Sequence, residues 1–409
     1  MSTPLALVAV ILLIGTAGTA QAQTTSKDDE IRQLRERLEQ IEGKLAKAQA
    51  GGDTRGGLCL PGIDTALHVY GYAEAHVIHD VGASGPNDLF TDLSLQPLDK
   101  DQPQRGKTRF TAETSRLGFE TSTPTMLGAF MTRVEADFYS YGAGKRNHLR
   151  LRHAYGEVAG FLIGQTWSTF MDLDDLPETV DFNGPIGAPF SRRTQIRYTY
   201  NDPQFAKFTV ALEDPTDQFA GGSSNEKLPQ VVLRVDRSFD RGAVNVRLLE
   251  HEKRSFNQTK RGAGVGIGGS YKVNDKNLLM AQYTQVNGDI DQLYGSNGYS
   301  IDSDQFDAAG NQTHVGTGAI TFDKNRGLVL GWAHNSSDQL RANLAFGMNR
   351  AKSAEAIDNK RLTQLHVGAI YSPIRNIELG GELILGRKVN FAGDTGKMQR
   401  VDLMARYSF

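Results

Sequence analysis

Several features that define other classes of protein are missing or scarce in this sequence. Its 409 residues include a single cysteine, Cys59, which excludes an internal disulfide framework and a cysteine-rich metal site. The formal net charge is −2, with 45 basic and 47 acidic residues, and such a balance argues against a nucleic-acid partner. Beyond residue 22, no apolar run approaches the ~20 residues that a membrane-spanning helix requires.

Sequence signals for enzymatic chemistry or for a metal site are also scarce. No G-x-S-x-G motif is present, and no Ser/His/Asp set can be picked out by spacing. His76, His79, His148 and His153 do not form a recognisable metal constellation. No cofactor or metal is therefore predicted. An outer-membrane lipid-modifying enzyme stays an alternative that no motif supports.

The N-terminus indicates export. Leu5 to Gly15 is an apolar run of about eleven residues, too short to cross a bilayer as a helix. The A-x-A pattern Ala20-Gln21-Ala22 follows it, so residues 1–22 are interpreted as a signal peptide, although the usual basic segment is missing. The mature chain is then a periplasmic protein, a secreted protein or an outer-membrane barrel.

Residues 23–48 contain the one clear helical pattern of the chain. Apolar residues at spacings of 3 and 4 form a heptad seam: Ile31, Leu34, Leu38, Ile41 and Leu45. Because a short isolated helix is marginal in water, we interpret the segment as a periplasmic coiled coil that holds several copies together. A helix packed on its own domain is the alternative. A linker at 49–65 follows, and Cys59 within it is expected to be a free thiol.

From Ala66 to Phe409 the sequence alternates with a period of two, which is typical of strands. Residues 66–409 are therefore predicted to form a barrel of about sixteen antiparallel strands, each long enough to span a bilayer at a tilt. Strand-like runs recur at His68–Ile78, Leu127–Tyr139, Phe205–Glu213, Val231–Phe239, Ala243–His251, Ala263–Val273, Leu278–Val286, Gly318–Asp323, Leu328–His334, Leu340–Arg350, Leu362–Tyr371, Ile377–Arg387 and Met398–Phe409.

Two observations favour a membrane barrel over a soluble all-β protein, which would also alternate apolar and polar residues. Charged residues recur on one side of single strands, as Arg133, Glu135 and Asp137 do, and a water-filled lumen accommodates such a series. The last strand carries its apolar face to a terminal aromatic, Phe409, as expected of a strand that closes a sheet in lipid.

The segment from Leu149 to Tyr200 contains the candidate functional residues. Strand-like runs flank an acidic stretch rich in Gly and Pro, and arginines on these runs share one face: Arg150 and Arg152 before it, Arg193 and Arg197 after it. Facing lipid, each arginine would cost about 2–4 kcal/mol near the midplane, so the predicted position is the pore wall. Arg133 is assigned there by strand parity. Alternatively, these arginines neutralise Glu135, Asp137 or Glu157 without touching solute.

The acidic stretch is predicted to be a constriction loop opposite these arginines. Its carboxylates would give a transverse field across the narrowest point: Asp172, Asp174, Asp175, Glu178 and Asp181. A calcium site and a merely solvated loop are the alternatives, and the spacing does not match a calcium loop. The sequence leaves open whether 172–190 folds into the pore.

Two stretches carry a resemblance to a known family. Ser115-Arg116-Leu117-Gly118-Phe119 and the strand ending Arg133-Val134-Glu135-Ala136-Asp137-Phe138 resemble the early hairpin of Gram-negative porins. Leu149 to Glu157 (LRLRHAYGE) and Gly164 to Asp172 (GQTWSTFMD) resemble the DcaP-like outer-membrane channels. The specific likeness covers about residues 107–200 and includes Arg150 and Arg152.

The resemblance implies a homotrimer of sixteen-stranded porin barrels in the outer membrane, in contact with its lipid, with the coiled coil in the periplasm. It also implies passive uptake of small anionic solutes, dicarboxylates in particular, through a pore narrowed by an infolded loop. A structural anchor that links barrel and cell wall through the coiled coil is the alternative function.

Overall fold

The computed structural model describes residues 58–59, 64–85, 91–101, 103–139, 148–216, 226–255, 258–307, 310–353 and 355–409. The predicted signal peptide (1–22), the coiled-coil seam and most of the linker lie outside these ranges. Among the described residues, no helix is long and apolar enough to span a membrane. Short 3₁₀ turns occur at Leu93–Leu95 and Asp99–Asp101.

Sixteen antiparallel strands form one closed sheet, as predicted. The sheet holds eighteen strand segments, but Leu58–Cys59 only extends one edge and β2 is interrupted once. The strands are β1 Ala66–Ala83, β2 Arg105–Thr111 with Arg116–Thr125, β3 Gly128–Asp137, β4 Arg150–Val158, β5 Phe161–Trp167, β6 Arg192–Asn201, β7 Lys207–Glu213, β8 Gln230–Phe239, β9 Gly242–Ser255, β10 Gln258–Asn274, β11 Asn277–Asn287, β12 Lys324–Asn335, β13 Leu340–Lys352, β14 Asn359–Ile374, β15 Ile377–Asn390 and β16 Thr395–Ser408.

The barrel closes where β16 pairs with β1. Tyr72 stands opposite Ser408, and the ladder continues to Asp80 opposite Arg400. Phe409 completes the seam, because its N–H donates to the carbonyl of Gly71 at 3.0 Å and its carbonyl accepts the N–H of Gly71 at 3.2 Å. A Cβ atom at Gly71 would stand 2.9 Å from the Phe409 ring, so this close approach needs glycine.

The two faces of the sheet differ in chemistry. On β16, Leu403 is 51% exposed on the outside, whereas its neighbours Asp402 and Met404 are buried on the inside. The same alternation runs along the other long strands and leaves apolar side chains on the outer surface. An apolar outer surface and a charged interior are typical of a β-barrel whose outer surface contacts lipid.

Short turns connect the strands at one end of the barrel, and the long connecting segments all lie at the other. Residues 375–376 form one such turn, whereas residues 288–323 separate β11 from β12. The predicted strand at Gly318–Asp323 is wrong as a barrel strand, because only Ile320–Phe322 is extended and it pairs with Tyr299–Ile301 outside the main sheet. Gly318 adopts a φ of 72°, which ends the extended run.

The apolar core consists of three clusters inside the barrel, where connecting segments pack on the inner wall. One gathers around Phe170 and Leu293, and another around Leu93 and Ile186. A smaller one joins Val180 to Ile370 and Met404. Connecting segments that enter from the long-loop end therefore pack against part of the inner wall.

Candidate pore constriction

The segment 168–191, here named the inner loop, lies against the inner wall of the barrel. It leaves β5 and returns at β6, but its contacts reach strands on the far side. Glu178 pairs with Arg341 on β13, and the N–H of Ile186 donates to the side chain of Gln364 on β14 at 3.0 Å. A loop bonded to those strands crosses the lumen and narrows it.

Glycines on the wall make room for the inner loop. A Cβ atom at Gly331 would stand 2.7 Å from Cβ of Pro177. One at Gly347 would stand 2.8 Å from the backbone nitrogen of Ile186 and closer still to its carbonyl oxygen. Both distances are below normal van der Waals contact, so the loop can lie this close only because these wall positions lack a side chain.

Two other connecting segments hold the inner loop from its lumenal side. The backbone N–H of Tyr294, from the segment after β11, donates to Ala188 O at 2.8 Å. Thr91, from the segment after β1, donates its backbone N–H and its hydroxyl to the carboxylate of Asp181 at 3.0 and 2.9 Å. The Tyr294 hydroxyl donates to Thr91 O and accepts from Asn183. Three segments thus form one hydrogen-bonded unit.

The first three predicted loop acids meet β8 and β9. Asp172 accepts from the side chain of Asn245 at 2.7 Å and from the guanidinium of Arg234 at 3.3 Å. Asp175 accepts from the same amide nitrogen at 2.9 Å. Asp174 lies 3.7 Å from Arg234 with its side chain 80% exposed, so it is the most solvated of the three.

The environment of the loop carboxylates shifts their pKa values in opposite directions. Burial and the neighbouring charge of Asp172 raise the pKa of Asp175 to about 6. Burial also acts on Glu178, but hydrogen bonds and charge from Arg341 outweigh it and lower the pKa of that carboxyl. Glu178 is thus held as an anion, whereas Asp175 gains a proton under mildly acidic conditions.

The predicted arginines before the loop are paired with carboxylates of the wall. Arg150 donates to both oxygens of Asp137, at 2.9 and 2.6 Å. Arg152 bridges Glu135 and Asp137, at 2.7 and 2.8 Å. Ring contacts place both guanidiniums within 6 Å of the centre of Phe182, an inner-loop residue. Arg150 and Arg152 therefore line the gap between wall and loop.

The other three predicted arginines lie elsewhere. Arg133 pairs with Glu120, near the short-turn end of the barrel. Arg193 is fully buried and bridges the backbone carbonyl of Asp214 (2.8 Å) and the carboxylate of Asp291 (3.2 Å). Arg197 is half-buried on β6, facing inward between outward-facing residues. Among the described ion pairs, none of these three arginines shares a carboxylate partner with Arg150 or Arg152.

In the described part of the chain, the loop acids do not form ion pairs with these arginines, so the predicted opposition across the pore stays a prediction. Within the described residues, none of the five acids lies within ion-pair distance of the five arginines; the acids take Arg234, Arg341 and the backbone of Thr91 instead. A carboxylate that leaves water needs a nearby partner, and for a loop lying on the wall the nearest cations belong to the strands beneath it.

Ion pairs continue along the inner wall from Glu178. Arg341 joins Glu178 (2.7 Å) to Glu378 (2.6 Å), and Arg406 joins Glu378 (3.1 Å) to Glu74. The Tyr72 ring lies between the guanidiniums of Arg406 and Arg116, at 4.7 and 5.1 Å. We name the whole series the charged belt: Glu178, Arg341, Glu378, Arg406, Glu74, Arg116, Glu135, Arg152, Asp137 and Arg150.

The belt is charge-balanced but unevenly exposed. In its β2–β4 part, the side chains of Arg116 and Arg150 are 20% and 26% exposed. The carboxylates that neutralise them, Glu135 and Asp137, are 6% and 0% exposed. Water in the pore therefore meets guanidinium groups there, while the compensating negative charge lies behind them.

Arg116, Arg341 and Arg406 were not among the predicted pore residues. A signal for Arg406 exists, since it follows Arg400, Asp402 and Met404 at intervals of two on the inward side of β16. Arg116 is the first residue of the second part of β2, and Arg341 is the second residue of β13, so local alternation has not yet defined an inner face there.

A closed sixteen-stranded barrel with an apolar exterior and charged interior, narrowed by an infolded loop, defines an outer-membrane channel of the porin class. A sequence model of the DcaP outer membrane protein family matches residues 59–409. The chain belongs to this DcaP outer membrane protein family. Residues 59–409 include the whole barrel.

Solved structures give the same answer for the fold. The outer membrane channel DcaP of Acinetobacter baumannii is 29% identical, with a TM-score of 0.76 over 86% of this chain and 99% of that chain. OmpT of Vibrio cholerae (13% identity, TM-score 0.55, 86% and 99% covered) shares the fold. So does an anion-selective porin from Comamonas acidovorans (12% identity, TM-score 0.55, 84% and 100% covered). Among curated protein sequences, none matches.

Proposed function

We propose that this outer-membrane channel conducts small solutes passively and prefers anions, dicarboxylates in particular. The observation that carries the proposal is the uneven exposure of the charged belt, which presents Arg116 and Arg150 to water and hides Glu135 and Asp137. An anion passing this point is attracted by the exposed guanidinium groups more strongly than it is repelled by the buried carboxylates, because Coulomb energy falls with distance. The anion-selective porin from Comamonas acidovorans is a fold relative, and its selectivity agrees with this proposal without carrying it.

The geometry also suits a carboxylate solute. Guanidinium groups bind carboxylates with a planar fork of two N–H donors, and they stay protonated at every relevant pH. Arg116 and Arg150 are each held by only one or two contacts to a buried carboxylate, so part of each fork still faces water. Two such groups near one constriction favour a solute with two carboxylates over a solute with one.

Planar-bilayer recording of the purified protein tests the proposal. Under a KCl gradient, we expect a reversal potential of the sign that indicates anion preference, and a C4 dicarboxylate should reduce chloride current more strongly than a monocarboxylate of similar size. The double variant Arg116→Gln/Arg150→Gln should lower the anion-to-cation permeability ratio roughly threefold. Arg261→Gln, which removes an outward-facing charge, is the matched control and should leave the ratio unchanged. A cation-selective wild type would refute the anion preference.

Homotrimeric assembly through the N-terminal heptads is a second part of the proposal. It rests on the seam Ile31, Leu34, Leu38, Ile41 and Leu45, which needs partner helices to cover its apolar stripe. Light scattering of the detergent-solubilised protein should give the mass of three chains. A variant that lacks residues 27–48 should dissociate more readily while each barrel still conducts. A monomeric full-length protein would contradict the trimer.

A further inference from the structure

The outward face of β12 to β14 carries a group of cations near the long-loop end of the barrel. We name this group the outer basic patch: Lys324, Arg326, Arg350, Lys352 and Arg361. All five are exposed, and Lys324 and Arg326 alternate with the buried residues Asp323, Asn325 and Gly327. The patch therefore faces the surroundings of the barrel rather than its lumen, and the pore described above does not use it.

The strand register sets like charges directly opposite one another within the patch. Lys324 is the cross-strand partner of Lys352, and Arg326 is the partner of Arg350. Arg350 is in turn the partner of Arg361 on β14. Directly opposed side chains lie about 5 Å apart at Cβ, and like charges at that distance repel. The opposed charges of the patch therefore do not stabilise the folded barrel.

Within the described residues, no carboxylate forms an ion pair with any member of the patch. Among these residues, the patch donates one side-chain hydrogen bond, from Nε of Arg326 to the neutral acceptor Gln285 Oε1 at 3.1 Å. By contrast Arg261, an outward-facing arginine on β10, pairs with Glu250 at 3.1 Å. The patch thus lacks the compensation that a comparable surface arginine has.

The surface next to the patch is apolar. Leu328 and Leu330 continue the outward face of β12 below Arg326, and Met348 continues that of β13 below Arg350. Lys324, Arg326, Arg350 and Lys352, with Tyr283, Leu328 and Met348, line an outer groove of about 400 Å³. Cations above a groove with an apolar floor suit an amphiphile whose anionic head lies at the membrane surface.

We propose that the outer basic patch binds the phosphate groups of an anionic lipid from the leaflet at the long-loop end, with the lipid's acyl chains on the apolar wall below. Lysine and arginine are the side chains that bind phosphate, and the paired register presents four of them to one head group. The occupant is a lipid rather than a soluble anion, because the site opens towards the hydrocarbon and not towards the pore. The proposal needs only the membrane location, so it stands independently of anion selectivity.

Lipid titration of the full-length protein in detergent tests the site. Native mass spectrometry would count bound bis-phosphorylated lipid A, dephosphorylated lipid A and phosphatidylethanolamine. We expect the quadruple variant Lys324→Gln/Arg326→Gln/Arg350→Gln/Lys352→Gln to bind the phosphorylated lipid about tenfold more weakly than wild type. Arg261→Gln should change the affinity less than about twofold, because that arginine already has a carboxylate partner.

A stability measurement distinguishes loss of the lipid site from misfolding of the quadruple variant. In lipid-free detergent the variant should keep its barrel to a higher temperature than wild type, because the opposed charges are gone. Added phosphorylated lipid A should then raise the unfolding temperature of wild type more than that of the variant.

Three results would overturn the proposal. They are equal affinity of wild type and variant for the phosphorylated lipid, equal wild-type affinity for the dephosphorylated lipid, or displacement of the lipid by low-millimolar pyrophosphate. The last result would assign the patch to a soluble anion. Retention of the lipid in pyrophosphate, with loss in the variant, supports the assignment.

Discussion

The carboxylate of Glu382 on β15 accepts a hydrogen bond from the backbone N–H of Asp181 in the inner loop, at 3.0 Å. A second backbone N–H, that of Val180, donates to the same carboxylate at 3.2 Å. Nδ1 of His366 lies 3.0 Å from this carboxylate on the side of the wall. One wall side chain therefore fixes the turn of the inner loop that carries Asp181.

Replacing Glu382 by Ala should loosen the inner loop. Two buried N–H groups would lose their acceptor, at a cost of about 1–3 kcal/mol each, so the turn would leave the wall part of the time. Single-channel recordings should show a noisier open state and a higher mean conductance. Glu120→Gln, at the short-turn end of the barrel, should leave the trace unchanged. A quiet channel of normal conductance in Glu382→Ala would contradict this role of Glu382.

Gly347→Ala should displace the loop and destabilise the barrel. The new methyl group would overlap the backbone of Ile186, and relieving such overpacking costs about 1–3 kcal/mol. Gly381→Ala is the matched control, since its Cβ would make an ordinary contact of 3.5 Å with Leu403 on the outer face. Gel mobility of samples heated to increasing temperatures would compare the two, and equal transition temperatures would argue against the close approach.

The Asp175 carboxyl should make the protein less stable as the pH rises from about 4 to 6. Its pKa is raised from 3.8 to about 6 in the folded state, so in this window the native protein keeps a proton that the unfolded chain loses. Rising pH then favours the unfolded state by on the order of 1–2 kcal/mol. Unfolding temperatures across this window should fall in wild type and stay flatter in Asp175→Asn. An identical slope in the variant would assign the effect to other groups.

Arg341→Gln should shift the ion selectivity towards cations more strongly than Arg150→Gln does. Arg341 is the partner of Glu178 and Glu378, whose side chains are 41% and 21% exposed, so its loss presents negative charge to the pore. Loss of Arg150 leaves Asp137 covered by Arg152. We therefore expect the larger shift towards cations from Arg341→Gln, measured as the reversal potential. A smaller shift than in Arg150→Gln would contradict this ranking.

The barrel was predictable because its evidence is local. A period of two along each strand identifies the inner and outer faces without knowledge of any neighbour, and residues 66–409 form the expected sixteen strands. The prediction of a barrel strand at Gly318–Asp323 was wrong because six alternating residues also fit a short hairpin within a loop. Length, rather than alternation, distinguishes the two.

The partners of the site residues were not predictable, because they depend on register and on long-range contacts. Asp172 meets Arg234, which is 62 positions away, and no local pattern joins them. Arg150 and Arg152 pair with Asp137 and Glu135, carboxylates named in the alternative interpretation, but the pairing does not decide whether they also contact solute. A bulge opposite Glu135 also shifts the register on β4, so Arg152 and its neighbour His153 are both buried, which parity does not anticipate.

The seam between β1 and β16 has a consequence for biogenesis. Its ladder joins Asp80 to Arg400, near opposite ends of the barrel sequence, and Phe409 forms its last two hydrogen bonds. Until the final strand arrives, β1 presents an unpaired edge, and an unpaired edge is not tolerated in hydrocarbon. Closure of the barrel therefore depends on β16, and we expect removal of the residues that pair with Gly71 and Tyr72 to hinder stable insertion into the membrane.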